Sequence, residues 1–242
     1  MSSTGRRGRL CNSIIRNVAF SEIAKQHNLS VSYVGYNLIT QTLGIMLFQG
    51  EKRYKTRKKL TDDNYTSLLT HTPPINCNLY TSEFLQTQVI SDLIYKELNS
   101  TIQKSNIMKH NPFKDRYNNN NDIFIHIRLG DVQIYNPGVA YYLKCIRQTV
   151  FTNLYIGSDT LDHSIIKQLQ KEYPAIILVD KSPEQTIQFG STCNHIILSH
   201  GTFSAVIGYL SFFAAEIYYP DKLSGWCPSG LFRNKSWIPI TC

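Results

Sequence analysis

Between residues 122 and 220 short apolar stretches alternate with helix-patterned ones, and only a few residues connect them. Few folds accept such alternation, because consecutive strands separated by helices lie parallel and cross over in the right-handed sense. Ile123, Phe124, Ile125 and Ile127 mark the first strand, over 123–128, and Gly130 ends it. A helix is expected around 141–150, then a strand at 153–157. A further helix carries Ile165, Ile166, Leu169 and Tyr173 until Pro174 stops it, and 175–179 is a continuous apolar strand. Ser182-Pro183-Glu184-Gln185 reads as a helix start, with Ser at the N-cap, Pro in the first turn and Gln completing a capping box. Strands at 195–198 and 216–219 flank a helix opened by Thr202 or Ser204. The pattern predicts a Rossmann-type α/β domain, whose ligands bind beyond the carboxyl ends of the strands.

Polar side chains gather at those ends. His126-Ile127-Arg128-Leu129-Gly130-Asp131 closes the first strand, and alternation puts His126 and Arg128 on one face. A hydrogen-bonding ring beside a planar guanidinium suits a phosphate group. Asp159 stands at the end of the next strand, where a carboxylate can accept hydrogen bonds from a base or a sugar. Ser199-His200-Gly201-Thr202-Phe203-Ser204 is a strand-to-helix turn whose N–H groups and helix N-terminus favour an anion. The hydroxyls of Thr202 and Ser204 suit helix capping equally well.

The first half is less regular. Ile14, Ile15, Val18, Ala19 and Ile23 predict an amphipathic helix entered through the glycine-rich basic loop 5–9. A strand is expected at 31–35, a helix at 38–48 ended by Gly50, and a long helix at 82–104 that buries Phe84, Val89, Leu93, Ile94 and Leu98. The polar run 118–121 is a natural boundary between halves 1–121 and 122–242. The formal charge is +8, and part of it lies in residues 52–59, where every position but Tyr54 and Thr56 is basic. Such a run is a solvated face, or meets nucleic acid, anionic lipid or an anionic substrate.

Apolar residues make up 42% of the chain and charged ones 17%, the balance of a soluble globular protein. No run approaches the roughly 18 apolar residues of a membrane span. The six cysteines form no C-x-x-C pair and have no histidine at ligand spacing, which argues against structural zinc. No apolar signal-peptide core follows the basic start, so the chain reads as cytoplasmic or as an excised soluble domain.

Taken in order, these motifs resemble the α-1,2-fucosyltransferase family (glycosyltransferase family 11) and its fucosyltransferase relatives. The family's opening G-G-L-G-N-Q is matched by Gly8-Arg9-Leu10-Cys11-Asn12-Ser13, and its Y-F-Q-S-like segment by Glu83-Phe84-Leu85-Gln86-Thr87. Its H-x-R-R-G-D is matched by residues 126–131, its Tyr-Tyr helix by Tyr141-Tyr142, and its F-S-D-D strand end by Gly157-Ser158-Asp159. The closing S-N-S-T-F-S-W-W is matched by Ser199 through Ser204, followed by Ala205-Val206. The resemblance covers most of the chain and is least clear over 50–80.

The resemblance implies a GT-B-like α/β fold, two Rossmann-type halves with parallel sheets facing a central cleft. Residues 1–121 would form the acceptor side and 122–242 the nucleotide-sugar donor side. It implies inverting, metal-independent transfer of fucose from GDP-fucose to a sugar hydroxyl of a glycan, with no cofactor and no nucleic-acid partner. Arg128 would meet the β-phosphate and Asp131 would be the catalytic base. His126, Asp159, Ser199, Thr202, Phe203 and Ser204 would bind the donor, and Asn12 would contact donor or acceptor. No Asp-x-Asp occurs that would clamp a metal. The chain departs from the pattern at Leu129, which replaces the second arginine, at Cys11 and Ser13, at Ala205-Val206, and in the near absence of a strand before the opening loop. Those departures keep two alternatives open: another nucleotide-sugar donor on the same fold, or an inactive relative that binds glycans or nucleotides.

Overall fold

The computed structural model describes residues 1–5, 8–221, 229–233 and 235–241, so Cys227 and Cys242 lie outside the described residues. The chain forms two compact units, Met1–His110 and Asn111–Cys242.

The first unit carries a four-stranded parallel sheet made of β1 (Ser2–Ser3), β2 (Val31–Ser32), β3 (Arg57–Lys59) and β4 (Asn78–Tyr80), in the order β2-β1-β4-β3. The strand before the opening loop therefore exists, though it is two residues long, and the strand expected at 31–35 is equally short. Helices α1 (Leu10–His27), α2 (Tyr65–Leu69), α3 (Gln88–Leu98) and α4 (Thr101–His110) accompany the sheet. The expectation of an amphipathic α1 is corrected, because it is buried on nearly all sides, Arg16 and Asn17 included. Packing against both α2 and α3 encloses it. Two of its polar side chains bond to neighbouring backbone: Asn17 Nδ2 donates to Val34 O at 2.8 Å, and Ser21 Oγ accepts from Phe48 N at 2.8 Å.

Two expected helices change for local reasons. Of the helix at 38–48 only a π-helical turn, Leu38–Thr42, forms. Beyond it α4 supplies the hydrogen bonds that a helix would have made internally. Gln103 accepts from Met46 N at 3.0 Å and donates to Met46 O at 2.7 Å, while Asn106 donates to Gly44 O at 2.7 Å. The long helix at 82–104 is instead α3 and α4, with Thr87 as N-cap of α3, its hydroxyl accepting from Ile90 N. Starting the helix there leaves Phe84 and Val89 exposed and moves the buried stripe to Ile90, Ile94 and Leu98. The basic run includes β3, an exposed edge strand. Charge on an open edge opposes edge-to-edge pairing, which accounts for Arg57, Lys58 and Lys59 without a ligand.

The second unit carries a six-stranded, all-parallel sheet. Its strands are β5 (Ile123–Ile127), β6 (Leu154–Ser158), β7 (Ile177–Leu178), β8 (His195–Ile197), β9 (Glu216–Pro220) and β10 (Ile238–Ile240). Helices α5 (Val139–Arg147), α6 (Ser164–Glu172), α7 (Pro183–Gly190) and α8 (Thr202–Leu210) connect them. The order β10-β9-β8-β5-β6-β7 is that of a doubly wound sheet, and its direction of winding reverses between β5 and β8. The alternation read from the sequence is present throughout. The strand at 175–179 contracts to a two-residue edge, and β10 was not expected. Gly201, rather than Thr202 or Ser204, occupies the N-cap of α8.

Strand β5 is buried at every residue. Ile123, Ile125 and Ile127 enter one core with Tyr141, Cys145, Ile166 and Leu169, whereas the Phe124 ring meets Phe189. The boundary expected at 121/122 falls inside this unit, because residues 111–121 pack on it. Asn111 Nδ2 donates to Gln188 O at 2.9 Å, and the asparagine run serves the backbone: Asn120 donates to Thr192 O at 2.9 Å and Asn121 to Val150 O at 3.0 Å. Among the described residues no helix is long and apolar enough to cross a membrane.

Arg116 pairs with buried Asp122 at 2.8 Å and lies over the Phe189 ring at 4.6 Å. Asp122 also accepts from Asn153 N and Asn153 Nδ2, at 3.1 and 2.8 Å. Removing the carboxylate strands both donors, so Asp122→Ala is expected to destabilise the protein by about 3 kcal/mol. Urea unfolding should show a lower midpoint at unchanged slope.

Candidate functional site

The winding reversal between β5 and β8 is where a sheet of this kind opens to a ligand. Arg128 emerges just past β5, its side chain 15% exposed, between two carboxylates. Its Nη1 donates to Asp159 Oδ2, and its Nη2 donates to Asp131 Oδ1 at 2.5 Å. The other oxygen of Asp159 accepts from Leu129 N at 2.9 Å, so one side chain fixes both the guanidinium and the turn behind it. Gly130 makes this possible. Its φ is +36°, and a Cβ there would stand 2.6 Å from Asp159 Oδ2.

The turn after β8 forms the other bank. Tyr141 and Tyr142 tie α5 to it, the first hydroxyl donating to Leu198 O at 2.7 Å and the second to Ser199 Oγ at 3.2 Å. Asn136 joins the banks: Nδ2 donates to Arg128 O at 3.0 Å and to the Tyr142 hydroxyl at 2.9 Å, while Oδ1 accepts from Gly138 N at 2.9 Å. His126 is buried, hydrogen-bonded to Ser204 Oγ at 2.6 Å and stacked on Phe203 at 4.7 Å between ring centroids. His200 is buried beside Ser199, with Nδ1 and Oγ 3.2 Å apart, and Tyr135 meets its ring edge-on. Burial, then the Arg128 charge, then the opposite histidine lower the pKa of His126 to about 3. Burial and Arg128 lower that of His200 to about 4, against opposing contributions from the Val132 backbone and Asp159. Both rings are neutral at physiological pH.

The second unit thus brings together His126, Arg128, Asp131, Asp159, Ser199, Thr202, Phe203 and Ser204. Two of them serve each other: Ser204 is wholly buried and spends its hydroxyl on His126. Asn12 belongs to the first unit, where its Oδ1 accepts from Gln86 Nε2 at 2.8 Å, so two of the quoted motifs meet there. Leu129 is fully buried in the apolar core of the second unit. The sequence did not reveal Asn136 as the connecting group or His200 as a buried neutral ring, although Asn136-Pro137-Gly138 is a turn signal. Chemically, the reversal point offers one guanidinium, neutral histidines, and the backbone donors of a nine-residue helix. Among the described residues no group of three or more His, Cys, Asp or Glu is placed to hold a metal ion.

A histidine held neutral in the fold costs stability in acid, where the unfolded chain binds a proton that the folded one refuses. Well above the unfolded value of about 6.5 neither ring contributes any pH dependence. As pH falls from there toward 4 and 3, each ring should remove up to about 1.4 kcal/mol per pH unit. Urea midpoints followed from pH 7 to pH 4 should fall less steeply in His126→Asn than in the wild type.

Solved structures of NodZ, an α-1,6-fucosyltransferase, share this fold. The form soaked with GDP-fucose matches with a TM-score of 0.56 and 11% sequence identity, covering 91% of this chain and 94% of that one. The form co-crystallised with GDP gives a TM-score of 0.57 at the same identity and coverage. Fucosyltransferase NodZ from Bradyrhizobium gives 0.55, covering 89% of this chain and 94% of that one, again at 11% identity. No protein-family model and no curated protein matches the sequence. At such low identity the likeness is one of fold: the α/β architecture with parallel sheets expected from the sequence is the one these GT-B-like fucosyltransferases have.

Proposed function

We propose that this protein transfers fucose from GDP-fucose to a sugar hydroxyl of a glycan, with inversion and without a metal ion. One observation carries the reading. The Arg128 guanidinium stands at the winding reversal, on a fold also found in an enzyme whose crystals were soaked with GDP-fucose. The reaction breaks the bond between the sugar's anomeric carbon and a β-phosphate oxygen, and negative charge grows on the departing GDP. Arg128 and the N–H groups opening α8 are fixed donors for that charge, which needs no reorganisation as it develops. The acceptor hydroxyl attacks from the opposite side, and Asp131, whose side chain is 59% exposed, takes its proton. Acceptor recognition falls to the first unit.

The ordered motifs favour an α-1,2 linkage and the NodZ likeness an α-1,6 one, so linkage analysis of the product decides between them. A second reading, nucleotide binding without transfer, is favoured by the burial of Leu129, which leaves the motif with a single guanidinium.

Thermal unfolding with GDP, GDP-fucose, GDP-mannose, UDP and UDP-glucose tests the donor. A ligand that binds only the folded state raises the melting temperature. GDP and GDP-fucose should stabilise the wild type, and Arg128→Ala should abolish the shift and lower kcat by about 100-fold or more. Transfer should survive EDTA. A shift with UDP alone would replace the donor assignment. GDP binding without transfer to any glycan would establish the second reading.

A further inference from the structure

We infer that the two carboxylates beside Arg128 have different tasks: Asp159 is a positioning residue that holds the guanidinium in place, and Asp131 is an exchangeable counter-ion that yields its Nη2 contact to the donor's β-phosphate. The inference rests on the proposed donor reading and deepens it.

The two side chains are built differently. Asp159 closes β6, which pairs with β5 along the whole strand, Ile127 opposite Ser158. Its two oxygens point two ways, one to the guanidinium and one to Leu129 N, and the bare face of Gly130 lies against it. Moving it would undo the turn. Asp131 lies on the 3-10 segment Gly130–Tyr135, interrupted by a non-helical Val132 at φ −131° and ψ 21°. Its side chain is 59% exposed, against 26% for Asp159. An ion pair so open to water is weak, whereas a diphosphate offers a guanidinium a charge-assisted, bidentate contact.

Charge demands the exchange as well. With both carboxylates in contact, Arg128 already has two anionic partners, and an incoming diphosphate competes with them for the guanidinium. Departure of Asp131 restores the attraction. The same movement frees its oxygen to accept the proton of an acceptor hydroxyl, so donor binding and readiness of the base become one event.

Titration calorimetry with GDP and GMP, on wild type, Asp131→Asn and Asp159→Asn, tests the division. Charge counting alone says that either neutralisation tightens an anion. The inference says the signs differ: GDP should bind Asp131→Asn about threefold more tightly or better, and Asp159→Asn about tenfold more weakly. GMP lacks the β-phosphate and should respond little to either change. Tighter GDP binding to Asp159→Asn would overturn the positioning role, and weaker binding to Asp131→Asn would overturn the exchange. Equal responses of GMP and GDP would overturn both, while leaving the donor reading intact. Failure of wild type to bind either nucleotide would overturn the donor reading together with the inference. Asp131 is exposed enough that its variant folds, and urea midpoints of both variants confirm that binding is read on folded protein.

Discussion

Strand β5 is buried on both faces and pairs with β6 on one side and β8 on the other, so each of its side-chain directions is already committed. Its odd positions, Ile123, Ile125 and Ile127, fill the core under α5 and α6. Its even positions, Phe124 and His126, meet α7 and α8. Arg128 continues the even series one step past the last ladder pair, where the sheet ends and the side chain emerges. A slip of one residue would drive a histidine into the isoleucine core, so the register is strongly held. The register with β6 then puts Asp159 level with Arg128, since Ile127 already stands opposite Ser158. The ion pair at the centre of the site is thus a consequence of strand pairing.

The surroundings keep that charge distinct. Two histidines flank Arg128, and burial together with the guanidinium holds both neutral. A neutral ring can accept as well as donate, so His126 can bind Ser204 and His200 can bind Ser199 without adding a second positive charge. The side chains of Tyr142 and Asn136 then link the turns after β5 and β8 by hydrogen bonds. Hydrogen-bonded side-chain networks of this kind rigidify a core, and here the rigid part is the support under Arg128.

The second unit was legible because its signals are local and agree: apolar runs of strand length, punctuating Gly and Pro, and a capping serine at 182 that does accept from Gln185 N. The first unit hides its signals. Two-residue strands carry no periodicity, and β3 is made wholly of basic residues whose order comes from pairing with β4. Segment 38–48 has helical composition, yet Gln103 and Asn106, 57 and 62 residues away from their partners in sequence, hold part of it in another form. Asn118 to Asn121 look like a linker by composition, although two of these amides serve as backbone partners at the amino edge of β5. Within the site, residue types at strand ends were legible and their pairings were not. A sequence shows that Asp159 ends a strand, but only the register shows which side chain it meets.

Leu129 makes the point about motifs most sharply. In the fucosyltransferase pattern that these motifs resemble, that position carries a second arginine, whereas here the side chain is sealed in the apolar core, where an unpaired guanidinium would be costly. The apolar residue at this position therefore matches the local packing. It also shifts the electrostatic load. On the proposed donor reading, the described residues that attract a diphosphate are Arg128, which two carboxylates offset, and the N–H groups that open α8. Those backbone donors do not titrate, and no side-chain movement withdraws them. On the proposed reading, such a site would recognise an anion in two parts: a helix dipole fixed by the fold, and a guanidinium whose full charge is released only when a carboxylate moves aside.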